Sequence, residues 1–347
     1  MKILVVKLAD LGDLLISEPA LRSLGLGFPK ARIDVLTTPH AAVLLPDIAP
    51  GAHALTFEKA SFDAPGLGAA ASLRSAASLG ARLRAAGYDR VAFLHHLTTT
   101  WGMTKYRALA RATGASMIVG LDNGRGAFLT HRAPDRGFGY KHEAEYMLDV
   151  AVAAGGKPTH AIPVFNADQS PLPFDLPGSF VAVAPVAGAY SPARIWPAGK
   201  FADLCRQLAD RGIKFVIVGG SDATPAARTI LNGIDRCAGI DLTGKTTIGQ
   251  LAATLKRASA VIGNDSFPTH LGAAVGTPVT TIFGPSNSRA WKPLSRHSTV
   301  VSAGLPCAPC LYTGYRLGRP DGCPSRTCLE MVTPEMVSTA VLEQLDA

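Results

Sequence analysis

Two carboxylates follow the first apolar run of the chain, and they are well placed for proton transfer. Residues 7–13 read KLADLGD and come directly after the apolar residues 3–6. Such a run is typical of a buried parallel strand, and open α/β sheets bind their ligands at the carboxyl ends of strands. A glycine-rich turn would suit a pyrophosphate, whereas Asp10 and Asp13 would repel one. We therefore expect a carboxylate in this turn to abstract a proton.

A second group of polar residues follows a strand in the other half of the chain, in AVIGNDSFPTH. Ser266 is a good N-cap and Pro268 suits a first helical turn, so a helix should begin there. Its free N–H groups and positive dipole end would bind a phosphate, and Asp265 would accept a hydrogen bond from a sugar hydroxyl. The alternative is that Ser266 only caps the helix and Asp265 only ends the strand.

Further residues of the second half favour an anionic ligand. Gly219 and Gly220 follow a strand, where a ligand can approach the backbone closely. Lys245 precedes a helix capped by Thr246 or Thr247, and Arg194 also precedes a helix. Arg194 and Lys245 together would neutralise a diphosphate leaving group, although either one alone is an ordinary surface cation.

Basic residues cluster in the first half, after its third predicted strand. They are Lys105, Arg107, Arg111, Arg125, Arg132, Arg136 and Lys141. Such a set would hold an acceptor that carries carboxylates or phosphates, and a solvated basic face is the alternative. We assign Lys105, Arg107 and Arg125 to acceptor binding, together with Lys7.

Four cysteines lie close together near the end of the chain, in the loop 307–328. They are Cys307, Cys310, Cys323 and Cys328. Four thiolates could bind structural zinc or iron tetrahedrally, and free thiols or disulfides are the alternatives. The second pair departs from the CxxC spacing of common zinc ribbons. Cys205 and Cys237 are interpreted as core or helix residues.

The elements that must position these residues alternate between strand and helix in both halves, which is typical of parallel sheets. Four prolines mark a linker between the halves. We predict an α/β protein with two doubly wound domains facing a central cleft. The predicted divisions are a first domain at 1–162, a linker at 163–178, a second domain at 179–332 that contains the cysteine loop, and a terminal helix at 333–347.

Length and composition agree with two compact domains. The chain has 347 residues, 47% of them hydrophobic and 17% charged, with a net charge of +8. This charge favours anionic partners, although nucleic acid is not expected because few aromatic residues accompany the cysteines. No run is apolar enough for a membrane span or signal peptide, so we expect a cytoplasmic protein.

Several segments, in order, give the chain a family resemblance. They include KILVVKLADLGDLL, KHEAEYMLDVAVAAG, ARIWPAGKFADL, LTGKTTIGQLAATLKRASAVIGNDS, PTHLGAAVGTPVTTIFGP and CAPC. Together they resemble glycosyltransferase family 9, the ADP-heptose:lipopolysaccharide heptosyltransferases. The resemblance implies the GT-B architecture of two Rossmann-like domains, in which the first (1–162) binds the acceptor and the second (179–332) binds the nucleotide-sugar donor. It also implies metal-independent transfer with inversion at the anomeric carbon, and the chain has no DxD motif.

The resemblance assigns roles to individual residues. Asp13 matches the catalytic aspartate, a general base, and we assign the adjacent Gly12 to the donor. Asp265, Ser266 and His270 match the donor motif D-[ST]-G-x-x-H, in which Phe267 replaces the glycine. Arg194 matches the basic residue ahead of the W-P pair, and His142 matches a histidine at the start of a helix, which we place on the acceptor side.

The expected activity follows from the resemblance. A heptose or related sugar would pass from an ADP-sugar to a hydroxyl of an anionic, lipopolysaccharide-core-like or lipid-linked acceptor. The protein would contact the cytoplasmic face of the inner membrane peripherally. The alternatives are a protein or small-molecule acceptor, or a nucleotide-sugar-binding module without turnover.

Overall fold

The computed structural model describes residues 1–58, 69–167, 172–188, 191–235 and 237–346, without the side chains of 69–73. The chain divides into two compact units, Met1–Gly137 with Glu143–Pro163, and Phe138–His142 with Val164–Ala347. Part of the predicted linker, residues 168–171, lies outside the described residues.

The first unit contains a parallel sheet of six strands in the order β3-β2-β1-β4-β5-β6. The strands are β1 (Lys2–Val6), β2 (Arg32–Thr37), β3 (His53–Thr56), β4 (Arg90–Phe93), β5 (Met117–Asp122) and β6 (His131–Pro134). The helices are α1 (Leu11–Leu15), α2 (Glu18–Gly27), α3 (Pro39–Ala42), α4 (Leu45–Ile48), α5 (Ala69–Ala86), α6 (Thr100–Thr113) and α7 (Glu143–Ala153).

Apolar packing on the sheet explains why these segments form the first unit. Leu4 and Val6 of β1 are fully buried, and they pack in one cluster with Leu83 of α5 and Phe93 of β4. The strand order is that of a doubly wound sheet, which reverses direction between β1 and β4. The loops that follow these two strands therefore form the expected ligand crevice of this unit.

The second unit repeats the plan with the order β12-β11-β10-β7-β8-β9, again all parallel. The strands are β7 (Val181–Ala184), β8 (Phe215–Ile217), β9 (Gly239–Asp241), β10 (Ala260–Asn264), β11 (Val279–Ile282) and β12 (Ser298–Val301). The helices are α8 (Ala198–Ala209), α9 (Thr224–Leu231), α10 (Ile248–Arg257), α11 (Phe267–Ala274), α12 (Ser288–Trp291), α13 (Thr327–Glu330) and α14 (Pro334–Leu345).

The core of the second unit is built from large rings and from the terminal helix. Trp196, Phe201 and Phe215 are fully buried, and Trp196 meets Phe201 edge to face with ring centroids 4.8 Å apart. Val337 and Val341 of α14 belong to the same cluster, as the apolar spacing of that helix predicts. This sheet reverses direction between β7 and β10, where its ligand crevice is expected.

The predicted fold class is confirmed, since both sheets are parallel and alternate with helices. Four strands escaped prediction, namely β3, β6, β9 and β12, and each is an edge strand of its sheet. Among the residues described, no helix has both the length and the apolar character needed to cross a membrane.

Candidate functional site

Asp13 lies at the switch point of the first sheet, in the first turn of α1. Its carboxylate Oδ1 is 3.3 Å from Nζ of Lys7, and about a third of the Asp13 side chain is exposed (33%). The Lys7 side chain is buried, and its ammonium also donates to the carbonyl of Leu94, 3.3 Å away, beyond β4. The ion pair thus orients a carboxylate that solvent or a ligand can still reach.

The turn that carries Asp13 is held by the neighbouring strands. The N–H of Leu8 donates to Nε2 of His95 over 3.0 Å, which requires that ring nitrogen to be unprotonated. The Thr38 hydroxyl donates to the carbonyl of Ala9, also over 3.0 Å. Sequence reasoning missed the role of His95, because its partner lies 87 positions away along the chain.

A buried cluster of charged groups surrounds the next residue, His96. Its Nδ1 lies 2.9 Å from Oδ2 of Asp135, and its Nε2 lies 3.0 Å from Oε2 of Glu143. Burial disfavours the charged imidazole, yet hydrogen bonds to the two carboxylates raise the pKa of His96 to about 9. His96 is therefore an imidazolium at neutral pH, and it ties two distant parts of the first unit together.

Arg194, Asp265 and His270 converge at the switch point of the second sheet. Nη1 of Arg194 donates to the backbone carbonyl of Asp265 over 3.0 Å and lies 3.4 Å from its carboxylate. Nε2 of His270 lies 3.7 Å from the other carboxylate oxygen. The predicted donor residues are thus brought together, and Asp265 is buried between two basic side chains.

The basic neighbours of Asp265 keep its carboxyl group ionised despite its burial. Burial alone would raise the pKa of the Asp265 carboxyl, but the hydrogen bond from His270 and the charge of Arg194 hold that pKa below its ordinary value. The Nε–H of Arg194 is buried and has no hydrogen-bond partner within the described part of the chain. A buried donor of this kind is suited to an anionic ligand.

The backbone around Arg194 is fixed by Asn264 and Trp196. The N–H of Trp196 donates to Oδ1 of Asn264 over 2.9 Å, and its indole N–H donates to the carbonyl of Val332 over 3.1 Å. Arg194 lies two residues before this buried ring, in a short 3₁₀ turn, Pro192–Arg194. The position of Arg194 therefore depends on how Trp196 packs in the core of the second unit.

Ser266 occupies the N-cap position of α11, but its hydroxyl does not cap the helix. It donates to the carbonyl of Asn264 over 3.3 Å instead. The Ser266 side chain therefore accepts no hydrogen bond from the backbone N–H groups in the first turn of α11. These N–H groups and the positive end of the helix dipole remain able to bind an anion. Phe267, which replaces the family glycine, is half-buried at the first helical position.

Gly219, Gly220 and Lys245 lie in two neighbouring loops of the second unit. The N–H of Gly244 donates to the carbonyl of Gly219 over 2.9 Å. Gly219 has a φ of 147°, and a Cβ there would lie 2.8 Å from that of Ala223, so a side chain is excluded. Lys245 is exposed and donates to the carbonyl of Asp241 over 2.7 Å. In the described residues no contact joins it to Arg194.

His142 packs with the second unit, although it precedes a helix of the first. Its Nε2 donates to the carbonyl of Lys292 over 2.8 Å. Burial lowers the pKa of His142 to about 4, and His270 and Asp265 lie close enough to influence it. His142 is therefore neutral at pH 7, and it lies beside His270 and Asp265 of the predicted donor motif.

The remaining acceptor candidates occupy different parts of the first unit. Lys105 and Arg107 lie on α6, and the Lys105 ammonium is 5.7 Å from the centroid of the Trp101 ring. Arg125 donates to the carbonyls of Leu97 and Thr98 and so fixes the loop before α6. Gly12 is the second residue of α1, next to Asp13.

All six cysteines are free thiols. Burial raises the pKa of Cys310, and the thiolates of Cys323 and Cys307 raise it further, so these sulfurs lie in one neighbourhood. Within the described residues, however, no three His, Cys, Asp or Glu side chains are arranged to hold a metal ion. The interpretation of Cys237 as a core or helix residue is wrong, because it is exposed in a turn before β9.

Comparisons with known proteins agree with this arrangement. The model of glycosyltransferase family 9 (heptosyltransferase) matches residues 76–319. Lipopolysaccharide heptosyltransferase 2 of Escherichia coli K12 is 25% identical and covers all of this chain and 98% of its own length. Lipopolysaccharide heptosyltransferase 3 of E. coli is 27% identical over 84% of this chain and 86% of its own.

Solved structures show the same fold. The E. coli ADP-heptose lipopolysaccharide heptosyltransferase II superposes with a TM-score of 0.71 at 22% identity, covering 99% of this chain and 98% of its own. A family 9 glycosyl transferase from Veillonella parvula gives 0.73 at 21% identity, covering 99% and 97%. The predicted GT-B fold is thereby confirmed.

Proposed function

The chain belongs to glycosyltransferase family 9 and is a glycosyltransferase, and on that premise we propose that it transfers a heptose from ADP-heptose to an anionic glycan. The relatives named above are lipopolysaccharide heptosyltransferases, which supports a lipopolysaccharide-core acceptor. The observation that carries the proposal is that each sheet holds its candidate residues at its own switch point. Asp13 lies at one switch point, and Arg194 with Asp265 lies at the other.

In the proposed reaction an acceptor hydroxyl attacks the anomeric carbon of the donor as the bond from that carbon to the pyrophosphate oxygen breaks. Asp13 takes the hydroxyl proton as general base. The departing ADP carries the negative charge, which Arg194, Lys245 and the first turn of α11 stabilise. A single displacement of this kind inverts the anomeric configuration and requires no metal ion.

Asp265 and His270 serve the donor in this proposal. The Asp265 carboxylate accepts a hydrogen bond from a donor hydroxyl, while Gly219 and Gly220 let the backbone approach the nucleotide. Lys7, Lys105, Arg107 and Arg125 are proposed for the acceptor. His142 was assigned to the acceptor from sequence, and its packing beside His270 supports a place at the donor. The acceptor is lipid-linked, and the reaction takes place at the cytoplasmic face of the inner membrane.

The cysteine segment carries a separate proposal of a structural zinc or iron ion. It rests on the mutual influence of the four thiols, since burial and then the thiolates of Cys310 and Cys323 raise the pKa of Cys328. The sulfurs as placed do not form a metal-binding group, so binding requires the segment to draw them together. Elemental analysis of protein purified without chelators tests this, with a Cys307→Ser, Cys310→Ser variant as control.

The function is tested by incubating the protein with ADP-heptose and a heptose-free lipopolysaccharide-core acceptor. We expect a product with one added heptose and the inverted anomeric configuration, identified by mass spectrometry and NMR. Thermal shift with ADP-, UDP-, GDP- and dTDP-sugars identifies the base, and we expect only the ADP-sugars to stabilise the protein. Binding without turnover would instead indicate a nucleotide-sugar-binding module, and turnover only on a protein or small molecule would reassign the acceptor.

A further inference from the structure

Helix α6 of the first unit presents an aromatic ring to solvent. Trp101, near the start of this helix, is 61% exposed, more than any other large apolar side chain in the described part of the chain. The helix is well defined, since Thr99 caps its first turn and Gly114 ends it with a φ of 66°. Trp101 therefore lies on a rigid element.

The surface around Trp101 is basic. No acidic residue occurs between Asp89 and Asp122, whereas Arg107 and Arg111 of α6 are both exposed. The neighbouring helix α5 also lacks acidic residues, and it exposes further cations. These are Arg74, Arg82 and Arg84. Arg84 packs against Gly114, so the cations of α5 reach the end of α6.

A stripe of exposed and half-buried residues follows one side of α6. Trp101, Lys105 and Ala108 are spaced at intervals of four and three, and they form a stripe that Arg111 extends by three more positions. The opposite side packs into the unit through Ala110 and Thr113, which are buried. At 1.5 Å per residue the stripe from Trp101 to Arg111 extends roughly 15 Å, long enough for both of its ends to meet one flat partner.

We infer that α6, through Trp101 and the arginines of α5 and α6, docks on the surface of an anionic phospholipid bilayer. Indole rings partition into the interface between lipid headgroups and acyl chains, and each Lys or Arg near an anionic leaflet strengthens binding about fivefold. The net charge of +8 acts in the same direction. The inference deepens the proposed function, because it identifies the surface from which a lipid-linked acceptor is reached.

An alternative binding partner for Trp101 is a sugar ring of the acceptor, which would stack on the indole. The charge distribution favours the bilayer, because the cations continue on α5 and along α6 to Arg111, well beyond the size of one sugar. The cation of Lys105 also lies over the indole ring, where a stacked sugar would have to displace it.

Sedimentation with vesicles tests the inference and needs no turnover. Binding to vesicles of phosphatidylcholine with a quarter phosphatidylglycerol should be salt-sensitive, and pure phosphatidylcholine should bind little. The double variant Arg107→Glu, Arg111→Glu should weaken binding roughly 25-fold or more, and Trp101→Ala several-fold. Lys256→Glu with Arg257→Glu, on the exposed end of α10 in the second unit, is the matched control and should bind like wild type.

Equal binding to both kinds of vesicle, or an equal loss in the α10 control, would overturn the inference. So would loss of vesicle binding in the presence of millimolar glycerol phosphate, which would indicate a site for free headgroups. A raised KM of Trp101→Ala for a lipid-free acceptor, with vesicle binding intact, would assign the ring to the sugar. Failure of wild-type turnover would contradict the proposed function and leave the sedimentation result interpretable.

Discussion

The two aspartates at the switch points, Asp13 and Asp265, are held in different ways. Asp13 remains one-third exposed and meets one cation, the buried Lys7. Asp265 is buried between Arg194 and His270, and these partners keep its pKa low. A carboxylate that must exchange a proton with an entering hydroxyl needs access, whereas one that orients a donor needs rigidity. The comparison therefore supports the proposal that Asp13 takes the proton and Asp265 positions the donor.

The largest effect is expected for Asp13→Asn. The amide keeps the shape of the side chain but cannot accept a proton, so turnover should fall by about two to four orders of magnitude. Donor affinity, measured by calorimetry with an ADP-sugar, should stay near wild type. Asp10→Asn is the control, because Asp10 is exposed at the start of α1 and its side chain caps nothing. Undiminished turnover of Asp13→Asn would remove the general base from the mechanism.

Asp265→Asn should act first on stability and donor binding. It leaves Arg194 largely buried without its counter-charge, which should lower the free energy of unfolding by about 3 kcal/mol. Urea unfolding measures this loss, and calorimetry should show weaker binding of the ADP-sugar. Asp203→Asn in the exposed pair with Arg206 should change both quantities little. A variant of Asp265 that lost turnover alone, with stability and binding intact, would reverse the assignment of roles.

The third prediction concerns pH and the buried His96. Because its pKa is about 9 in the folded protein and near 6.5 in the unfolded chain, its stabilisation is complete below pH 6.5. That stabilisation, on the order of 2–3 kcal/mol, is lost as the pH rises through 9. Urea unfolding at pH 6, 8 and 9.5 should show the decline in wild type and a flatter profile in His96→Gln.

A matched control for this titration is His131→Gln, on the edge strand β6 of the same unit. His131 is exposed and meets the hydroxyl of Thr130, 3.0 Å away. Its replacement should leave the wild-type pH profile in place. If His96→Gln retained the full decline between pH 6.5 and 9, another group would have to be responsible for it.

Sequence alone identified the interior strands, because residues buried on both faces of a parallel sheet form continuous apolar runs. The edge strands lack such runs. His53–Thr56 is mostly exposed, His131–Pro134 contains a proline, and Gly239–Asp241 is only half-buried. Their identity as strands comes from pairing with a neighbour, which is a tertiary property.

The residues of the candidate site also differ in how far the sequence alone could predict them. Asp13, Arg194 and Asp265 follow recognisable strands or belong to recognisable motifs, and the structure brings the last two into contact. His95 and His96 have no local signal, because their partners lie dozens of positions away. Local sequence signals, by contrast, located helix starts to within one residue. The sequence offered Thr246 or Thr247 as the cap of α10, and Thr247 forms the capping box with Gln250.

The segment Phe138–His142 belongs to the second unit, although the residues on both sides of it in the chain belong to the first. This matters when the enzyme is divided into fragments. A fragment that begins at residue 164 would lack the N–H that Phe138 donates to Gly314 and the imidazole that His142 places on Lys292. It would also expose the Tyr312 ring, which Phe138 meets at 5.5 Å. The second unit can therefore be reproduced faithfully only by a polypeptide that also supplies residues 138–142, either fused to the fragment or added as a separate peptide.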